Sequence, residues 1–140
     1  MKAIAYSIRN NEKVSLAKAN SKKHDFLFIS NALNEANLVF AIGKDVLILY
    51  KLDTLTLGLL KRSKEIGIKL IISRDHKPSL EVLQLATQVG IPIIHVQCSL
   101  TDEKKAHQII NILDYAAKGL QESNDLSTQP ITKARPDKQI

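Results

Sequence analysis

The side chains best suited to bind a small anion form one short charged turn: Arg74, Asp75, His76 and Lys77. The apolar segment 69–73 precedes this turn, and Pro78-Ser79 after it can open a helix. A helix N-terminus presents free amide groups and the positive end of the helix dipole, so basic side chains beside it can bind a carboxylate or a phosphate. The alternative is a solvated basic turn whose charge Asp75 partly balances.

Other polar residues suggest chemistry less strongly. His76, His95 and Cys98 follow or lie in neighbouring predicted strands, which invites a metal-site interpretation. Side chains along a strand alternate between its two faces, so bringing all three onto one ion is geometrically demanding. A hydrogen-bonded core histidine and a buried cysteine are favoured instead, although His107 or Arg74 could activate Cys98 as a nucleophile. The sequence therefore assigns no catalytic residue, no metal and no cofactor.

The elements that position these residues follow from hydrophobic periodicity. Five short segments are rich in β-branched and apolar residues and show almost no alternation, as in strands covered on both faces. They are residues 3–8, 26–29, 46–50, 69–73 and 92–96. Helix-length stretches separate them, and apolar residues at i, i+3, i+4 and i+7 predict a helix over 102–118, with His107 on its polar face or rim.

Capping residues support the same division. The predicted helix ends are Gly67, Gly90 and Gly119, and the predicted N-caps are Asp53 or Thr54, Ser79 and Thr101. Alternating β and α units imply a parallel sheet with right-handed crossovers and helices on both faces. We therefore expect an α/β fold, a flavodoxin-like three-layer sandwich with a five-stranded parallel sheet in the order 2-1-3-4-5.

Bulk properties limit the classes of protein. With 140 residues and 44% apolar content the chain can fill one core, which we assign to residues 1–119. Residues 120–140 are polar, contain two prolines and lack periodicity, so we expect a flexible tail. No apolar run reaches the ~20 residues of a bilayer span, and the N-terminus lacks the pattern of a signal peptide. We expect a cytoplasmic protein without membrane contact.

Charge and composition bear on possible partners. The net charge of +6 belongs to residues 1–119, where basic residues alternate with acidic ones, which favours a solvated basic surface over a polyanion-binding face. Tryptophan is absent and aromatic residues are few, which disfavours nucleic-acid binding by base stacking. A lone cysteine excludes an internal disulfide.

Three long stretches resemble a known family. MKAIAYSIRNNEKVSL, DVLILYKLDTLTLGLLKRSKEIGIKLIISR and LEVLQLATQVGIPIIHV are similar to the N-terminal, substrate-binding domain of D-isomer-specific 2-hydroxyacid dehydrogenases, D-lactate dehydrogenases above all. The likeness runs from Met1 to about Gly119. In that family a pattern like R-S-A-G-x-D-N holds the substrate carboxylate with backbone amides. Arg74 matches its arginine, but Lys77 replaces the glycine, which implies a reshaped or lost amide cradle.

The resemblance also implies roles for other positions. Arg9 matches an arginine of D-lactate dehydrogenases, and Tyr50 falls where the family places an aromatic residue against the substrate side chain. Both would join the anion pocket; the alternatives are a sheet-edge ion pair for Arg9 and a core-rim aromatic for Tyr50. The family's V-P-x-Y-S-P motif is replaced by VQCSLT at 96–101. No G-x-G-x-x-G turn and no counterpart of the catalytic Arg, Glu and His set are present.

Three hypotheses about function follow. The leading one is a stand-alone, catalytically incomplete relative of the dehydrogenase substrate domain, which binds a small carboxylate or phosphate or a protein partner and transfers no hydride by itself. The second is a subunit of a split NAD-dependent D-2-hydroxyacid dehydrogenase, completed by a separately encoded nucleotide domain. The third is an interaction module that forms a homo-oligomer or binds a protein partner through helix 102–118, which in relatives packs against a second domain.

Overall fold

The computed structural model describes residues 1–51, 55–74, 77–96 and 101–127, with side chains described as far as residue 119. The strands are β1 (Lys2–Tyr6), β2 (Asp25–Ile29), β3 (Val46–Leu49), β4 (Leu70–Ser73) and β5 (Ile93–His95). The helices are α1 (Asn10–Asn20), α2 (Leu57–Glu65), α3 (Leu80–Val89) and α4 (Asp102–Ser127), and a 3-10 helix spans Asn37–Ala41.

The strands form one parallel sheet in the order β2-β1-β3-β4-β5, which confirms the predicted fold. Each predicted strand overlaps an observed one to within two residues at either end. The residues of β1, β3 and β4 are almost all buried, because helices cover both faces of the sheet. This double burial explains why their sequences are continuously apolar rather than alternating.

Each face of the sheet has its own hydrophobic core. On one face, α1 and α4 pack on the sheet, and the predicted stripe of α4 contributes Ala106, Ile109, Ile110 and Leu113. On the other face the core is formed with α2, α3 and the 3-10 helix. Tyr6 belongs to this second core, where its hydroxyl donates a hydrogen bond of 2.9 Å to the carbonyl oxygen of Asn37. Burial raises the pKa of Tyr6 to about 12.

The capping predictions have mixed outcomes. Ser79 and Thr101 accept hydrogen bonds from amides in the first turns of α3 and α4, as expected for N-caps. Gly90 ends α3 in the left-handed conformation with φ +93°, and Gly67 has φ +103° just after the end of α2. The N-cap of α2 is Thr56, so the prediction of Asp53 or Thr54, which lie outside the described residues, is wrong.

The predicted helix end at Gly119 is also wrong, because α4 continues to Ser127. The first part of the expected tail is therefore helical, while residues 128–140 lie outside the described residues and their flexibility stays a prediction. His107 is exposed on α4, as expected. No helix in the described part of the chain is both long and apolar enough to cross a bilayer.

Candidate functional site

Arg74 lies at the carboxyl end of β4, where the sequence predicts the anion site. Its backbone N–H donates to the carbonyl oxygen of Leu49, at 2.9 Å, which fixes the residue beside the end of β3. Its side chain turns inward, so that the residue is only 2% exposed. The guanidinium carbon lies 5.1 Å from the ring centroid of Tyr50, which is itself buried, in a cation–π contact. Arg74 is therefore a buried cation rather than part of a solvated turn.

Two carboxylates from different helices contact this guanidinium. Its Nη2 atom lies 2.9 Å from Oδ1 of Asp102, the first residue of α4, in a hydrogen bond. The same atom lies 3.0 Å from Oε2 of Glu12, in the first turn of α1, as an ion pair without hydrogen-bond alignment. Both carboxylates also lie in the first turns of their helices, near the positive ends of the helix dipoles. Arg74 thus links the starts of α1 and α4 to the end of β4.

Arg9 contacts the same carboxylate from the outside. It is the N-cap residue of α1, and its backbone N–H and its Nε donate to Oε1 of Glu12 at 3.0 and 3.1 Å. Asn11 donates to Oδ2 of Asp102 at 2.9 Å. Two cations, Arg9 and Arg74, therefore face two carboxylates, and the formal charge of this group sums to zero. An anion placed on Arg74 would compete with carboxylates that are already in place.

The structure brings together three of the six predicted binding residues. Arg9, Tyr50 and Arg74 surround Glu12 or the guanidinium that contacts it. Lys77 is exposed between β4 and α3, while Asp75 and His76 lie outside the described residues. Arg9 forms an ion pair with Glu12, and Tyr50 is buried. These arrangements correspond to the alternatives to anion binding that the sequence left open for the two residues. Anion binding by the six residues stays a prediction.

A polar pocket of about 560 Å³ lies at the carboxyl edge of the sheet, beside Arg9. Its lining residues are Ser7, Ile8, Arg9, Asn10, Ser30, Ala32 and Lys51. They come from the segments that follow β1, β2 and β3. The connection from β2 to β3 passes over β1, because the strand order is β2-β1-β3. The pocket therefore lies at the topological switch point of the sheet, where open α/β sheets bind their ligands.

Four polar pocket residues, Ser7, Asn10, Ser30 and Lys51, were missed by the reasoning from sequence. Ser7 directly follows β1 with φ +61°, a left-handed conformation that redirects the chain into α1. Lys51 is exposed at the end of β3 and has no salt bridge to any carboxylate among the described residues. The predicted strand order was the available signal, because it already places the switch point between β1 and β3.

The contacts of His95 do not support the metal site that the sequence suggested for His76, His95 and Cys98. Its Nδ1 atom lies 2.7 Å from Oγ of Ser73, which is the neighbouring residue on β4. The other two candidate ligands, His76 and Cys98, lie outside the described residues. Within the described ranges, no three His, Cys, Asp or Glu side chains are grouped as a metal site would require.

Comparisons with known proteins identify solved structures that share the fold of this chain. No family model and no curated protein matches the sequence. Among solved structures, the chain is similar to apo D-lactate dehydrogenase from Escherichia coli, with 25% identity and a TM-score of 0.63 over 69% of this chain and 31% of that one. D-2-hydroxyisocaproate dehydrogenase gives 22% identity and a TM-score of 0.61, over 69% of this chain and 29% of that one.

A structure of pyruvate reductase from Chlamydomonas reinhardtii matches more of this chain. It is 21% identical, with a TM-score of 0.60, and the match covers 91% of this chain and 38% of that one. The structural neighbours are thus D-lactate and D-2-hydroxyacid dehydrogenases, which confirms the resemblance predicted from the sequence. The chain spans about a third of the length of these enzymes.

Proposed function

We propose that this protein is a binding protein that takes up a small carboxylate or phosphate at the carboxyl edge of its sheet and transfers no hydride by itself. The observation that carries the proposal is the polar pocket at the switch point. It is lined by two basic residues, Arg9 and Lys51, by two serines and by the first residue of α1. Cations and hydroxyls at the start of a helix are the groups that bind a small oxyanion.

The proposal shifts the ligand away from the guanidinium of Arg74. That group is buried against two carboxylates and a tyrosine ring, so it would have to give up existing partners to bind a ligand. Lys51 differs because it is exposed on the pocket wall. We therefore assign the decisive charge to Lys51, with Arg9 and the hydroxyl groups of Ser7 and Ser30 supporting it.

The test is ligand-dependent stability of the full chain. Phosphate, lactate and pyruvate are added at millimolar concentration, with chloride at matched ionic strength as the reference. A ligand that binds only the folded protein stabilises it by about 1.4 kcal/mol at ten times Kd, and the melting temperature rises accordingly. Isothermal titration then gives Kd directly. If none of the three anions raises the melting temperature above the chloride reference, the proposal is wrong.

A matched pair of charge changes locates the site. Lys51→Gln should weaken binding at least tenfold, because a hydrogen bond to a charged group contributes about 1.5–3 kcal/mol. Lys61→Gln removes the same charge from the exposed surface of α2, away from the pocket, and should leave Kd nearly unchanged. Equal weakening by both variants would indicate non-specific attraction to a basic protein and would exclude this pocket. Arg74 is unsuitable for this test, because its replacement disturbs the fold.

A further inference from the structure

The pocket at the switch point is larger than a small carboxylate or phosphate requires. Its volume is about 560 Å³. A water molecule accounts for roughly 30 Å³ in the liquid, so an anion of a few atoms fills a minor part of this space. Volumes of about 300–1,000 Å³ are typical of sites that enclose an organic ligand. The pocket therefore has room for a ligand body in addition to the anionic group.

Three neighbouring strands set the width of this pocket. Tyr6, the last residue of β1, pairs with Ile29 of β2 on one side and with Leu49 of β3 on the other. Ser30 directly follows β2, and Lys51 lies two residues after β3. Neighbouring strands are about 4.8 Å apart, so β2 and β3, which flank β1, are separated by roughly 10 Å. A single anionic group held by Lys51 thus leaves the β2 side of the pocket to water, whereas an extended ligand can contact both sides.

The uncharged polar residues of the pocket have hydrogen-bonding capacity that the protein leaves unused. The side chains of Ser7, Asn10 and Ser30 make no hydrogen bond to another residue in the described part of the chain. A hydroxyl group can both donate and accept, and so can an amide. The described lining contains no aromatic ring that could stack on a base, and only Ile8 and Ala32 are apolar. This lining favours a hydroxylated ligand body over an apolar or aromatic one.

The charge of the lining favours phosphate as the anionic group. Arg9 and Lys51 are basic, and none of the seven lining residues, all of which the structure describes, is acidic. Arg9 is paired with Glu12, yet its side chain remains 69% exposed. A phosphate monoester carries a charge of about −1.5 to −2 at pH 7, compared with −1 for a carboxylate. The more negative group gains more from two nearby cations.

We propose that the ligand of this pocket is the phosphate monoester of a polyhydroxylated compound, such as a sugar phosphate. Lys51 and Arg9 bind the phosphate group, while Ser30, on the β2 side, forms a hydrogen bond with a hydroxyl group of the ligand body. Ser7 and Asn10 offer further hydrogen bonds between these two ends. The inference rests on the proposed function, because it names the ligand class of the same pocket.

Isothermal titration of the full chain compares inorganic phosphate, ribose 5-phosphate and ribose at one pH and ionic strength. Each neutral hydrogen bond raises affinity by about two- to tenfold, so ribose 5-phosphate should bind at least tenfold more tightly than phosphate. Ribose alone should show no binding at millimolar concentration. If phosphate binds and ribose 5-phosphate binds no more tightly, this inference is wrong and the proposed function stands. If neither binds, both are wrong.

Ser30→Ala tests the side of the pocket that is assigned to the ligand body. Ser30 is exposed, so the fold should stay intact, and circular dichroism checks this. The variant should weaken binding of ribose 5-phosphate by about two- to tenfold and leave the Kd of inorganic phosphate nearly unchanged. An unchanged Kd for ribose 5-phosphate, or an equal loss for both ligands, would overturn the proposal.

Thr87→Val is the matched control. It removes a hydroxyl group from the exposed surface of α3, outside the pocket, and should change neither Kd. Weakening of ribose 5-phosphate binding by Thr87→Val as large as that by Ser30→Ala would contradict a local contact. Adenosine 5′-monophosphate adds a base to the same sugar phosphate, and it should bind no more tightly than ribose 5-phosphate. Tighter binding of this nucleotide would overturn the assigned ligand class, because the base would then contribute.

Discussion

Replacing Arg74 by methionine should lower the free energy of unfolding by about 3 kcal/mol, because it leaves a buried carboxylate without one of its two cations. Glu12 and Arg74 have side chains that are 2% and 3% exposed. Removing one partner of a buried ion pair costs about 3–5 kcal/mol. We expect the lower end of this range, since Oε1 of Glu12 keeps the backbone N–H and the Nε of Arg9. The side chain of Asp102 is 39% exposed, so water can replace its contact at little cost.

A double variant separates the buried charge from the lost packing. Adding Glu12→Gln to Arg74→Met removes the unpaired negative charge, while the glutamine oxygen can still accept the capping hydrogen bond from Arg9. The double variant should therefore be about 2 kcal/mol more stable than Arg74→Met alone. Both values come from urea denaturation followed by circular dichroism. A cost below about 1 kcal/mol for Arg74→Met, or no recovery in the double variant, would refute the buried-charge argument, since breaking a buried pair costs several times more.

Two further predictions concern helix ends and pH. Gly90→Ala should destabilise the protein by about 1–2 kcal/mol, because φ is +93° there, whereas Gly119→Ala should stabilise it by up to about 1 kcal/mol within a continuous α4. Thermal denaturation compares the two, and destabilisation by Gly119→Ala would contradict a helix that continues through this residue. The hydrogen bond from His24, with a smaller contribution from Lys23, lowers the pKa of Asp114 below its usual value. Stability from this carboxylate is therefore present above pH ~4 and is lost as the pH falls through the lowered pKa. Asp114→Asn should cost up to about 1 kcal/mol at pH 7 and progressively less in acid, as measured by urea denaturation; a cost independent of pH would contradict this linkage.

The sheet was predictable from sequence because its signal is local. A strand buried on both faces reads as a short apolar run, and each of the five runs carries that signal without reference to distant residues. The choice among neighbouring capping residues was less determined. Asp, Thr and Ser all favour the N-cap position, so the residue types of Asp53, Thr54 and Thr56 do not distinguish them; in the structure Thr56 is the cap and accepts a hydrogen bond from the N–H of Leu59.

The helix end at Gly119 shows a second limit of local reasoning. Glycine ends many helices in the left-handed conformation, but inside a helix it costs only about 1 kcal/mol relative to alanine. Good helix formers such as Gln121 and Glu122 follow it, and continuing the helix can offset that cost.

The contacts of the Arg74 side chain could not be predicted from its neighbours in the sequence. A basic residue after a buried strand has the same sequence signature whether it faces water, a ligand or a buried carboxylate. The difference lies in Glu12 and Asp102, which are distant in sequence and reach Arg74 only because α1 and α4 share one face of the sheet.

The burial of Arg74 bears on where the proposed anion would bind on this fold. The resemblance to D-2-hydroxyacid dehydrogenases points to the corner after β4, where Arg74 is now surrounded by carboxylates and a lysine replaces the glycine of the family pattern. Strand order points to the switch point between β1 and β3, and it applies to open α/β sheets whatever their ancestry. Lys51 and Arg9 lie at that point, beside an open pocket. Because Arg74 links α1 and α4 to the sheet, we infer that Lys51 and Arg9 at the switch point, rather than Arg74, bind the proposed anion.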